Sequence, residues 1–142
     1  MARIDFYILA NPGQQSRHRF ACRLAEKAYR LDNTVHIHLG NRDDAEHIDE
    51  LLWTFRDGSF VPHHLLDSVA DDRRSPVTIG CAKAPESACD LLINLCDEIP
   101  PFAEAFPRIA ELVTSDDECR QASRRRFAAY RDQGHTLETH NV

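Results

Sequence analysis

Short apolar runs alternate along this chain with longer stretches of helical period, and that alternation restricts the fold more than any other feature. Ile4 to Leu9 is an apolar run ended by Asn11-Pro12-Gly13, a strand followed by a turn. From Ser16 to Arg30, Phe20, Ala21, Leu24, Ala25 and Ala28 recur at helical spacing, with Ser16 as the expected N-cap. Thr34 to Leu39 sets Val35, Ile37 and Leu39 against His36 and His38, the period-two mark of a strand with one polar, solvent-facing side. Asp43 or Asp44 is expected to cap a second helix that buries Ala45, Ile48, Leu51, Leu52 and Phe55 and stops at Gly58. An irregular stretch from Phe60 to Ser75 follows, polar and exposed over Asp71, Asp72, Arg73 and Arg74.

Val77 to Cys81 and Asp90 to Leu95 read as further strands, joined through Ala84-Pro85-Glu86. Pro100-Pro101 opens a helical turn in which Phe102 packs on Phe106, and Ile109 to Val113 reads either as the end of that helix or, the preferred reading, as a last strand. Asp116 begins a final helix that runs to about Gln133 and stops at Gly134. Strands separated by helices imply parallel β-α-β units with helices on both faces of the sheet. The expected fold is a three-layer α/β/α sandwich, Rossmann-like, with a mainly parallel sheet in one domain over residues 1–142.

Composition narrows the class further. At 42% hydrophobic residues the chain is not disordered, and five glycines and seven prolines are too few for a low-complexity linker. No apolar run approaches the ~20 residues that span a bilayer. Asp5 interrupts the first apolar run, which argues against a secretory signal and for a cytoplasmic protein. Cys22, Cys81, Cys89, Cys96 and Cys119 are scattered without a C-x-x-C pair, the pattern of reduced, mostly buried thiols.

The net charge of -6 does not suit a general polyanion binder. Positive charge is local: arginines 120, 124, 125, 126 and 131 fall in a stretch without an acid. Arg120, Arg124, Phe127 and Arg131 share one helical face. Such a stripe suits an acidic peptide ending in an apolar residue and a free carboxylate, which arginine can pair bidentately while a ring shelters the apolar side chain. It equally suits a solvated basic face that complements the helix dipole, with Phe127 turned into the core beside Tyr130.

Catalytic signatures are missing. The first strand-helix turn, Ala10 to Ser16, has one glycine where a dinucleotide site needs G-x-G-x-x-G, and there is no Walker motif. His36 and His38 point the same way but lack a carboxylate in the pattern, while His18 and His47 stand alone, so no metal or other cofactor is expected. No serine lies in G-x-S-x-G. The stretch Leu51 to Leu66 instead gathers Trp53, Phe60 and Pro62 around Gly58, large apolar groups in a turn that need either the core or another protein to cover them.

These residues resemble one family, the chi subunit of the bacterial DNA polymerase III holoenzyme (HolC family). The resemblance is carried by Phe6-Tyr7-Ile8-Leu9, the region from Cys22 to Tyr29, and Leu52-Trp53 with Phe60-Val61-Pro62-His63. It continues through Asp90-Leu91-Leu92-Ile93-Asn94-Leu95 and Arg126-Phe127-Ala128-Ala129-Tyr130-Arg131 before Gly134, essentially the full chain. It implies a non-catalytic accessory subunit of the clamp loader complex, Rossmann-like in fold. Such subunits bind the acidic C-terminal tail of single-stranded-DNA-binding protein (SSB) and the psi subunit, so nucleic acid is met mainly through SSB. In some bacteria a helicase uses the psi surface. Carried across, the SSB-tail site is Val113, Arg120, Arg124, Phe127 and Leu137, with Arg124 on the terminal carboxylate and Arg120 on the preceding acids. Arg120 stands where a lysine is expected, Phe127 where a tyrosine is, and Ala128 where the family can have another basic residue. The psi or helicase surface is Trp53, Phe60, Val61 and Pro62. The competing readings are direct binding of single-stranded nucleic acid by the arginine helix, and a nucleotide-binding Rossmann-like enzyme.

Overall fold

A computed structural model describes residues 2–58, 60–66, 75–81, 85 and 89–142. In chain order the elements are β1 (Arg3–Ile8), α1 (Gln14–Arg30), β2 (Val35–His38), α2 (Arg42–Thr54), β3 (His63–Leu65), β4 (Val77–Gly80), β5 (Leu91–Asn94), a 3₁₀ turn (Ala103–Ala105), β6 (Arg108–Val113), α3 (Asp117–Asp132) and β7 (Thr136–Asn141). The strands form one sheet in the order β3-β4-β2-β5-β6-β1-β7, and every pairing in it is parallel. Parallel neighbours require crossovers, and helices cover both faces of the sheet.

The core is accordingly double. On one face Ala21, Cys22 and Ala25 of α1 and Ala45, Ile48 and Leu52 of α2 pack on Val35, Ile37, Ile79, Ile93 and Leu112. On the other, Tyr130 of α3, Ala103 of the 3₁₀ turn and Phe106 just after it pack on Ile4, Phe6, Leu92 and Ile109. The Rossmann-like α/β sandwich expected from the alternation is the fold observed.

Several local expectations are corrected. The N-cap of α1 is Gly13, at φ 95°, and the Ser16 hydroxyl donates back to the Pro12 carbonyl instead of capping. Asn41, not Asp43 or Asp44, caps α2, its side-chain oxygen accepting from the Asp44 amide at 2.8 Å. His36 and His38 are buried, because the strand side read as solvent-facing is roofed by Phe102 and Phe106. The stretch after Phe60 contains β3, and a seventh strand, β7, follows the last helix. Of the cysteines only Cys22 is buried; the other four are partly exposed, and all five are free thiols. The exposed loop expected at 71–74 and most of the 84–86 connection lie outside the described residues.

Candidate partner-binding surfaces

The rotation of α3 is set by a buried ion pair. Glu111 of β6 points to the α3 face of the sheet, and Arg126 donates to it through Nε at 3.0 Å. The second carboxylate oxygen accepts from the Tyr130 hydroxyl at 2.8 Å and the Asn94 amide at 2.9 Å. Arg126 also donates to the Asp97 carbonyl and the Ser123 hydroxyl. Burial, together with the negative charge of Glu111, pushes the Tyr130 phenol upward. One of the five arginines counted as a basic cluster is therefore structural.

With Arg126 and Tyr130 turned inward, Arg120, Arg124, Phe127 and Arg131 fall along the flank of α3, roughly a third of a turn away at about 100° per residue. Phe127 is half-buried and packs on Phe6 with ring centroids 5.2 Å apart. Val113, Ile8, Leu137 and Cys119 belong to the same apolar cluster. Arg120 and Arg124 are exposed, and neither makes an ion pair among the described residues. Two cations with no ion pair among the described residues thus border an apolar strip.

The five residues do not converge on a point. Val113 lies opposite Ile8 in register and Leu137 opposite Ile4, four strand positions apart, or about 13 Å along the sheet. Val113 is 5% exposed and forms floor rather than wall. Ile8, half-buried at the same end, is a lining residue that the sequence reading lacked. Its place in the first strand marked it as apolar but not as left partly uncovered.

The turn after α2 forms a second surface. Trp53 is 54% exposed and Phe60 63%, with ring centroids 5.7 Å apart. His63 lies beneath the indole at 4.6 Å, with Nδ1 against the Val61 carbonyl and Nε2 against the Asp49 carbonyl. Pro62 is partly buried, whereas Val61, 1% exposed, belongs to the core and anchors the turn. The two large rings do not close the core.

Other candidate chemistry finds its groups engaged. The amide of Gly13, where a Rossmann-like site would meet a phosphate, donates at 2.9 Å to the Asp116 carboxylate, which also accepts from Thr114. Those bonds hold the Asp116 carboxyl below its ordinary value. No carboxylate joins His36 and His38 among the described residues, and burial lowers both, His36 to about 3. His18 and His47, far apart in sequence, meet through their Nδ1 atoms at 2.8 Å, and burial takes His18 to about 4. Asp5, Glu138 and His140 have metal-ligand spacing, but Arg3 and Arg108 already donate to Asp5. The Cys22 thiol is pushed by burial to about 12, away from nucleophilic use. No helix among the described residues is long and apolar enough to cross a membrane.

The crystal structure of T4 UvsW contains a similar fold, with TM-score 0.71 at 10% identity, over 99% of this chain and 41% of that one. A protein of Pseudomonas aeruginosa named DNA polymerase III subunit chi is 40% identical over 142 residues, covering 100% of this chain and 98% of the relative. Proteins of that name from Haemophilus influenzae and Escherichia coli are 36% and 32% identical, covering 97% and 98% of this chain and 96% and 97% of their own. Residues 1–138 match the family described as DNA polymerase III chi subunit, HolC, and to that family the chain belongs.

Proposed function

We propose that this chain is a non-catalytic bridging subunit of the polymerase III clamp loader complex, working in the cytoplasm in DNA replication. Its α3 flank takes the acidic C-terminal tail of SSB, with Arg124 on the terminal carboxylate and Arg120 on the preceding acids. Phe127 and Ile8 shelter the apolar end over Val113, and Leu137 continues the apolar strip toward the other end of the strand. The Trp53–Phe60 surface, with Pro62 beside it and Val61 beneath, takes a psi-like subunit or a competing helicase.

One observation carries this reading: two exposed arginines that make no ion pair among the described residues stand beside an apolar strip that carries the half-buried ring of Phe127. Desolvated guanidinium–carboxylate pairing against an aromatic wall is an arrangement that recognises a chain end. Against a nucleotide enzyme, the amide at the start of α1 is already occupied by Asp116.

Pull-down with wild-type, Arg124→Ala and Phe60→Ala baits separates the two surfaces. SSB should be lost from the first variant alone, and a small psi-like protein from the second alone. Retention of both partners by both variants contradicts the assignment.

A further inference from the structure

A third surface belongs to neither of these. A groove of about 960 Å³ runs along α1, closed on one side by the end of α2 and on another by Leu9–Asn11 and Val142. Arg19, Arg23, Lys27 and Arg30 line it from a single flank of α1, at steps of four, four and three residues. At 1.5 Å per residue that cationic row is about 16 Å long. Arg56 adds a fifth cation from beyond α2.

Among the described residues the only acid lining the groove is Glu26, a buried side chain that pairs with Arg56 at 3.2 Å and Arg30 at 3.9 Å. Arg19, Arg23 and Lys27 make no ion pair among the described residues. On a chain of net charge -6, three unpaired cations in one concave row are a local reversal of sign.

Apolar surface lies between the charges. Phe20 and Phe55 are half-buried in the wall, and Leu31 is 66% exposed at the end of the helix. Phe20 is packed on Tyr7 at 5.5 Å, and it and Phe55 are both recessed in the wall, so the groove presents no fully exposed ring on which successive bases could stack. A polyphosphate strand would satisfy the cations and leave Leu31 uncovered. A protein segment that alternates carboxylates with aliphatic side chains satisfies both.

We propose that the α1 groove is a docking site for an acidic, leucine-bearing protein segment, separate from the α3 flank. The carboxylates pair with Arg19, Arg23 and Lys27, and the aliphatic side chains cover Leu31, Phe20 and Phe55. The site needs no free chain terminus, unlike the α3 flank.

The test is fluorescence anisotropy with a labelled 16-residue peptide of alternating glutamate and leucine pairs, amidated at its C-terminus. Wild type and Arg124→Ala should bind it equally. Arg23→Glu with Lys27→Glu, and Leu31→Ser separately, should each weaken binding at least tenfold while thermal melts stay unchanged. Polyglutamate and a thymidine oligonucleotide of equal charge should bind at least tenfold more weakly than the peptide. Absence of binding to wild type, equal binding by the charge-reversed chain, or tighter binding of the oligonucleotide overturns the proposal.

Discussion

Arg126 and Glu111 meet at 3.0 Å with both side chains out of solvent, and this pair fixes which face of α3 is offered outward. Removing one partner strands the other charge in the core, which costs about 3–5 kcal/mol. Arg126→Ala and Glu111→Ala should each lose stability of that order in urea unfolding. Arg120→Ala and Arg124→Ala should stay within about 0.5 kcal/mol of wild type.

Trp53 and Phe60 are exposed, whereas Val61, next to Phe60 in the chain, is core. Phe60→Ala should therefore change stability by less than about 1 kcal/mol while removing the psi-like partner. Val61→Ala deletes two buried methyl groups and should cost on the order of 2 kcal/mol. Parallel melts and pull-downs of the two variants check this division.

Asn41 caps α2 through the Asp44 amide, while the Ser16 hydroxyl caps nothing. Asn41→Ala should cost about 1 kcal/mol and Ser16→Ala a few tenths at most, measured by chemical denaturation.

Burial holds His18 near 4 and His36 near 3, against an ordinary 6.5, and lowers His38 as well. The unfolded chain takes up protons as pH falls through about 6.5, while the folded chain does not. Stability is full above that pH and is lost as pH drops toward 4 and then 3, at about 1.4 kcal/mol per unit for each such histidine. Unfolding free energies measured between pH 7 and pH 4 should fall accordingly, and His36→Gln should flatten the slope by one histidine's share.

Much of this architecture is legible in the residues. The period-two run of β2, the helical spacing of α1 and the Asp116-to-Gly134 frame of α3 each declare their element. What escapes is decided by neighbours in space. β3 has three residues and takes its identity from pairing with β4. β7, Thr-Leu-Glu-Thr-His-Asn, is an edge strand with little apolar character, held by its register with β1. Arg126 is indistinguishable in a charge count from Arg124, and only Glu111, fifteen residues earlier, draws it inward. His36 and His38 keep the alternation of a half-exposed strand, yet Phe102 and Phe106 arrive from far along the chain to cover them.

Isothermal titration with an acidic peptide ending in an apolar residue tests the α3 flank most directly. With a free terminal carboxylate it should bind the wild-type chain at a micromolar scale, about -8 kcal/mol, and more weakly as salt rises. Amidating the peptide, or replacing Arg124 with alanine, should weaken binding at least tenfold. Equal affinity for the free and amidated peptides, or for wild type and Arg124→Ala, would contradict the account.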